Sequence, residues 1–330
     1  MTEPNSPSRR DLLAGAAVAA TAIGATQAMG QSAAAEGFGL DGKSILITGS
    51  SSGFGRLGAE HYARLGAKVF ASMRNLPRPE ADELTALAET EGLDITVVEI
   101  DVTSDELVSS GVAQVLAATG GKLDVLINNA GIAYAGPVEL QDMAAMQHTF
   151  DTNVYGCHRM ARAVLPAMRA AGAGQIFNIS SQLGRVIIPG LGAYSGTKFA
   201  LEALSEQMAY EFATDGIEVT IIQPGGYPTK IWDNGNENTQ ALFERTPEDH
   251  LAAYPSFTGQ MSGGAQTTDP MDIPKAIAEI IDLPAGTRPL RKAVHPVARP
   301  QEGINEASKQ TQLAMLGGSP IGPAVKSVLD

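Results

Sequence analysis

Residues 43–55 read KSILITGSSSGFG. An apolar run over 43–48 ends at Gly49, Gly53 and Gly55 punctuate a turn, and an amphipathic helical pattern continues over 54–65. A strand that turns through glycines into a helix meets a specific need. Glycine allows a tight turn and lets amides approach a ligand with no Cβ in the way, while the helix N-terminus adds partial positive charge. The pyrophosphate of a dinucleotide fits such a turn, held by Gly49, Ser51, Ser52, Gly53, Phe54 and Gly55.

Short apolar runs alternate with helical patterns from there to the end of the domain. The runs fall at 43–48, 68–73, 95–100, 124–128, 175–180, 217–223 and 289–294. This pattern predicts one doubly wound, Rossmann-type α/β domain over 37–298, a parallel seven-stranded sheet with helices on both faces. Helices are expected over 77–90, 143–171, 193–214 and 272–283. Arg74 ends the second strand where an acidic residue would otherwise bond an adenine ribose. A guanidinium there suits a 2′-phosphate and favours NADP, with NAD as the alternative cofactor and a solvated loop arginine as the plain reading. Asp101 and Val102 form a turn suited to lie over the adenine, and the fourth strand breaks into Asn129, Ala130 and Gly131 at the ligand-binding edge.

Two features of the helices carry chemistry. Asn153 stands inside the 143–171 helix, where an asparagine bonds backbone or water and distorts the helix locally. Tyr194 and Lys198 stand four apart, so they share a helix face. A cation beside a phenol favours the phenolate and fits the tyrosine for proton exchange near neutral pH, although such pairs also occur in ordinary helices. Phe199, Leu201, Leu204, Met208 and Phe212 recur at helical spacing, as core or as a packing face in a homodimer or homotetramer. The sixth strand leads into Pro224, Gly225 and Thr229, and residues 227–271 read as an irregular lid insertion. Residues 299–330 form a C-terminal extension with one helix over 305–316.

Composition narrows the class. With 44% apolar and 18% charged residues the chain is globular, and a net charge of −13 with scattered acids argues against nucleic-acid or anionic-membrane partners. The lone Cys157 excludes an internal disulfide framework and reads as a small buried residue. The five histidines have no ligand spacing, so no metal is expected. Residues 1–36 resemble a twin-arginine export signal, Ser8-Arg9-Arg10-Asp11-Leu12-Leu13 before a run too short to span a membrane. That implies a periplasmic mature protein with no membrane segment. The alternatives are a cytoplasmic protein with an uncleaved leader, or a true start at Met29.

In order, T-G-S-S-S-G-F-G (48–55), N-N-A-G (128–131), D-T-N-V-Y-G (151–156), N-I-S-S (178–181), Y-S-G-T-K (194–198) and P-G-G-Y-P-T (224–229) resemble the short-chain dehydrogenase/reductase family over 40–294. The resemblance implies Tyr194 as proton donor or acceptor, and Lys198 as the group that holds the nicotinamide ribose and lowers the tyrosine pKa. It further implies Ser181, thirteen residues before Tyr194, as the group polarising the substrate oxygen, and Asn153 as the holder of a water linking Lys198 to solvent. Thr229 would contact the carboxamide, Asp101 the adenine, and Asn128 to Gly131 the adenosine side. Ser52 stands where many NADP-preferring members carry a basic residue. The expected activity is NADP(H)-dependent interconversion of a secondary alcohol and a ketone or aldehyde on a largely apolar small molecule. Leu183, Val186, Ile187, Ile188 and Leu191 suggest the apolarity, while Arg185 would meet an acidic group. A non-catalytic NADP-sensing binding protein on the same fold is the alternative of a different class.

Overall fold

The computed structural model describes residues 39–255, 257 and 267–329, so the leader over 1–36 and part of the lid insertion lie outside the described residues. Strands β1 (Ser44–Ile47), β2 (Lys68–Met73), β3 (Ile95–Glu99), β4 (Val125–Asn128), β5 (Gly174–Ile179), β6 (Ile217–Pro224) and β7 (Arg291–Val294) form one sheet in the order β3-β2-β1-β4-β5-β6-β7. Every pairing is parallel, as continuous apolar runs buried on both faces require.

Helices α1 (Gly53–Arg64), α2 (Pro79–Glu91), α3 (Asp105–Ala118), α4 (Met143–Phe150), α5 (Gly156–Ala171), α6 (Gly192–Phe212), α7 (Lys230–Glu244), α8 (Glu248–Ala252), α9 (Asp272–Asp282), α10 (Gln301–Leu316) and α11 (Gly322–Leu329) complete the domain. Side chains alternate between faces along each strand. Ile45, Ile47, Val69 and Ile127 therefore join Tyr62 of α1, Leu84 of α2 and Ile277 of α9 in one core layer. Leu46, Phe70 and Leu126 join Val112 of α3, Met160 of α5 and Met208 of α6 in the other. The chain winds from β1 toward β3, then crosses back to β4 and on toward β7, so the sheet order reverses between β1 and β4. The ends of those two strands leave a crevice there.

Four local differences from the sequence reading have physical causes. Helix α3 has no counterpart in that reading, although Ser104 caps it by accepting the Leu107 amide and Asp105 and Glu106 occupy its first turn. Its Gly111 weakens the helical pattern for a packing reason, since a Cβ there would stand 2.3 Å from Ile100. The 143–171 helix is interrupted by a π turn at Asp151–Tyr155. The insertion after β6, expected to be irregular, begins with α7, whose Asn and Gly residues are poor helix formers; Gly235, Thr239 and Leu242 are buried, and tertiary packing holds them helical. The tail contains two helices rather than one, and α11 places Val325 (0% exposed) and Leu329 (8%) in the second core layer.

The tail thus contributes to the core that supports α6. Leu329→Ala is expected to lower the unfolding free energy by about 2 kcal/mol, whereas Met315→Ala on the exposed side of α10 should change it by less than about 0.5 kcal/mol. Denaturant titration of the two variants checks this.

Candidate active site

The crevice at the β1 and β4 ends opens into a cleft of about 590 Å³. Every residue singled out from the sequence as a site residue borders it except Gly55, Asn128 and Asn153; Asn128 is buried, donating to Asn178 Oδ1 at 2.8 Å, and so does not reach the adenosine side. The glycine turn shows why a side chain is excluded. Gly49 and Gly53 have φ of 70° and 55°, and a Cβ on Gly55 would stand 2.2 Å from the Gly49 carbonyl oxygen. Ser52 is the N-cap of α1 yet makes no side-chain capping bond, so the first amides of that helix face the cleft without a protein cap. This cradle fits an anionic pyrophosphate. Ser51, Ser52, Gly53 and Phe54 line it, and Phe54 stacks edge-on against Tyr227 at 5.7 Å.

Thr48, which the sequence reading left as the last strand residue, joins the two strand ends. Its hydroxyl accepts the amides of Asn129 and Ala130, each at 3.0 Å. Asn129 in turn donates from Nδ2 to the carbonyls of Thr48 (2.9 Å) and Gly49 (3.2 Å). The N-N-A-G segment is therefore fastened to the glycine turn. Beyond it the cleft runs past Arg74, Asp101 and Val102. Asp101 is held in place by accepting both the amide and the hydroxyl of Thr103. The Arg74 guanidinium makes no ion pair or hydrogen bond among the described residues. A second arginine that sequence reasoning missed, Arg78, borders the same end of the cleft but is paired with Glu80 at 2.9 Å. Its signal was one helical turn of spacing from Arg74, hidden because it precedes α2 rather than ending a strand.

At the other end lie the proton-handling groups. The Ser181 hydroxyl lies beside the Tyr194 phenol and favours its ionised form, and Ser181 accepts the Leu183 amide at 3.1 Å. Ser180 is buried with its hydroxyl unpartnered, so Ser181 is the serine presented to the tyrosine. Lys198 donates to the Ile179 carbonyl at 2.8 Å and sits over the Tyr194 ring, 5.5 Å from its centroid. Asn153, in the π turn, accepts the Ile132 amide through Oδ1 and donates from Nδ2 to the Ile132 carbonyl and the Thr197 hydroxyl. A widened turn frees backbone groups, and here it aims the asparagine at the segment leaving β4. A Cβ on Gly131 would lie 3.4 Å from Asn153 Oδ1 and 3.9 Å from Lys198 Nζ, so these three residues converge.

The electrostatics differ from the sequence expectation. Burial pushes the Tyr194 phenol up to about 12, only partly opposed by the neighbouring Ser181 hydroxyl. The ammonium lies over the ring face and is spent on a carbonyl, so desolvation wins over the cation in this state. Burial likewise draws Lys198 down to about 8, opposed by the Glu202 carboxylate. Cys157 itself is buried and its thiol is raised to about 11 by desolvation.

The wall over Tyr194 is apolar: Ala133 and Ala135 are buried, with Leu191, Ile231, Trp232 and Phe257 packed against them. Thr229 stands at the N-cap position of α7, without a side-chain capping bond, beside the glycine turn, with its Cβ 3.4 Å from where a Gly53 Cβ would be. Pro224 and Gly225 line the edge between them. The apolar run after Ser181 divides. Leu183, Ile188 and Leu191 face the cleft, while Val186 and Ile187 do not. Arg185 turns away from the cleft, toward Asn305 (3.1 Å) and Glu202 (3.6 Å), so it does not meet a substrate acid.

Comparison with known proteins agrees with this layout. A family model described as short chain dehydrogenase matches residues 43–240. Retinol dehydrogenase 8 of Bos taurus is 34% identical over 260 residues, covering 76% of this chain and 80% of that protein. The solved structure of a short-chain dehydrogenase from Streptomyces avermitilis is 31% identical with a TM-score of 0.63, covering 83% of this chain and 96% of that one. A gluconate 5-dehydrogenase from Burkholderia cenocepacia, solved with NADP and tartrate, is 26% identical with a TM-score of 0.61, over 78% of this chain and 95% of that one.

The lowered Lys198 pKa has a stability consequence. Between about pH 8 and the ordinary lysine value of 10.5 the unfolded chain binds a proton that the folded chain lacks, so stability rises with pH across that window. The stability difference between wild type and Lys198→Met should therefore rise by up to about 3 kcal/mol from pH 8 to 10.5. A flat difference in pH-dependent denaturation would show that the amine is not depressed.

Proposed function

This chain belongs to the short chain dehydrogenase family and is an oxidoreductase acting on a CH–OH donor with a nicotinamide dinucleotide, and from that premise we propose that it is an NADP(H)-dependent enzyme interconverting a secondary alcohol and a ketone or aldehyde on a largely apolar small molecule. The observation that carries this reading is that Ser181, Tyr194 and Lys198 line one end of a cleft whose other end is the glycine cradle, with the Lys198 ammonium 5.5 Å from the Tyr194 ring centroid.

The nicotinamide, when bound, supplies or accepts the hydride. The chain's residues handle the oxygen. In reduction, the Tyr194 hydroxyl donates its proton to the carbonyl oxygen as negative charge develops there, and the Ser181 hydroxyl donates a hydrogen bond to the same atom. A phenol held up to about 12 by burial keeps that proton across the physiological range. In oxidation the same burial works against the phenolate, so the tyrosine acts as base only with positive charge beside it, supplied by the Lys198 ammonium and the oxidised nicotinamide. Asn153 holds the Ile132 segment and Thr197, one residue before Lys198, in fixed relation. The glycine cradle and the first turn of α1 would hold the pyrophosphate, and Arg74 the 2′-phosphate. The unpaired Arg74 guanidinium supports NADP over NAD, because a carboxylate at that point would repel the phosphate. The apolar wall of Leu191, Ile231, Trp232 and Phe257 supports an apolar substrate.

Tyr194→Phe should lower kcat for carbonyl reduction by about a hundredfold or more, followed by loss of NADPH absorbance, with cofactor affinity kept; unchanged turnover sinks the mechanism. Arg74→Ala should weaken NADPH by roughly tenfold or more, in line with the ~1.5–3 kcal/mol of a hydrogen bond to a charged group, and leave NADH within about twofold. Trp232 is the only tryptophan and lines the cleft, so its fluorescence reports both titrations. Equal losses for the two cofactors would refute the assignment to Arg74.

A further inference from the structure

The helix that carries Tyr194 and Lys198 begins without a cap of its own. Its N-cap residue is Leu191, which makes no side-chain capping bond, so the first amides of α6 need partners from elsewhere. One partner comes from a distant part of the chain. Gln141 accepts the Ala193 amide through Oε1 at 3.0 Å, and Ala193 immediately precedes Tyr194. The other end of the same side chain donates from Nε2 to the Gly136 carbonyl at 2.8 Å.

These bonds form part of a closed ring. Gly136 donates its own amide to the Gly190 carbonyl at 2.7 Å and pairs with Leu191 in an isolated parallel bridge. The chain from Gly190 through Leu191 and Gly192 then returns to Ala193 and Gln141. Gln141 is 5% exposed and does not border the cleft, so the amide is engaged in holding protein groups and is not available to a ligand. The ring also connects to the lid, because Ala135 donates its amide to Thr239 of α7 at 2.8 Å. A buried amide that made only one of its bonds would leave a polar group unsatisfied. Here both ends are used, one on the start of the catalytic helix and one on the cleft wall.

We propose that Gln141 is a positioning residue for the reaction: it caps the catalytic helix from outside and so fixes where the Tyr194 phenol stands relative to Ser181 and the cleft wall. This rests on the reading of Tyr194 as the proton-transferring group. A misplacement of about 1 Å is enough to cost a reaction roughly a hundredfold, so a cap at the residue before the tyrosine acts on rate more than on binding. An acceptor at position 141 is the part that serves the helix, and a protonated carboxyl group keeps it while its O–H replaces the amide donor to the Gly136 carbonyl.

The test compares Gln141→Met and Gln141→Leu, which keep size and remove both bonds, with Gln141→Glu assayed toward acid pH, where its protonated carboxyl accepts from Ala193 and donates to Gly136 in place of the amide. Each is measured as kcat per folded molecule, with cofactor Kd read from Trp232 fluorescence. The expected result is a kcat about tenfold to a hundredfold lower in the Met and Leu variants, cofactor Kd unchanged within about twofold, and Gln141→Glu closer to wild type than to Gln141→Met. Unchanged kcat per folded molecule in the apolar variants, a Glu variant as impaired as they are, or failure of both apolar variants to fold would overturn it, the last by making Gln141 a residue of the fold alone. If Tyr194→Phe abolishes turnover while the Gln141 variants retain it, only this inference fails. If Tyr194→Phe retains turnover, the reading of the site beneath it fails instead.

Discussion

Gly55 packs against the carbonyl oxygen of Gly49 so closely that no side chain fits between them, and the rest of the site is laid out from that contact. A Cβ on Gly55 would also stand 2.6 Å from Asn129 Nδ2, so the same empty volume admits the asparagine side chain from the end of β4. Three pieces of chain therefore meet at one point: the exit of β1, the first turn of α1 and the exit of β4. The helix start can lie flat against the strand end only because of this contact, which aims its uncapped amides into the crevice where the sheet order reverses. Thr48 then holds β4's exit through two amides, so the nucleotide side and the segment leading to Ile132 move as one unit.

From Ile132 the constraint passes to the proton-handling side through Asn153. Its carboxamide is satisfied by the backbone of Ile132 and by Thr197, which places the π turn between the β4 exit and α6. The consequence for charge follows from burial. Tyr194 and Lys198 share a helix face, but the desolvation of each group is the largest cause of its shift, raising the phenol and lowering the amine. Both shifts favour neutral side chains. Incoming positive charge at the nicotinamide end then opposes the desolvation that holds the phenol protonated.

Much of this was legible in the sequence because the chemistry is local. The glycine turn, the break after β4, the asparagine inside a helix and the Tyr194–Lys198 spacing each follow from short-range rules, and the strands were readable because parallel sheets leave continuous apolar runs. What was not legible depends on long-range contacts. Helix α7 forms from Asn, Gly and Thr because Thr239 and Leu242 are buried against Ala135 and Tyr134, which no local propensity encodes. Arg185 sits among apolar neighbours in sequence, yet it faces away from the cleft because Glu202 and Asn305 lie on the other side. The cation above Tyr194 was expected to acidify the phenol, and only the bond of Lys198 to Ile179 shows where that charge is directed.

An α-helix turns its side chains by about 100° per residue, so a helix that carries two functional groups must be kept from rotating as well as from sliding. Apolar packing alone resists this weakly, since rows of similar side chains can slip past one another. Directional bonds do better. Below Lys198, Glu202 (2% exposed) accepts from Arg291 Nε at 2.8 Å and from Gln223 at 2.9 Å, and Glu206 accepts from the other side of the same guanidinium at 2.5 Å. Burying these charges is costly, and an apolar replacement of the whole set could match it in stability, but breaking one member would strand its partner. Their value therefore lies in orientation. Arg291 belongs to β7, so the helix is keyed to the sheet edge, while Arg185 ties the loop after Ser181 to the same carboxylate. Asn305 completes the set by accepting from Arg185 and donating to Gln223 at 2.7 Å. Serine loop and tyrosine helix thus share one framework, and the distance between the Ser181 and Tyr194 oxygens is set by that framework and not by two independent elements.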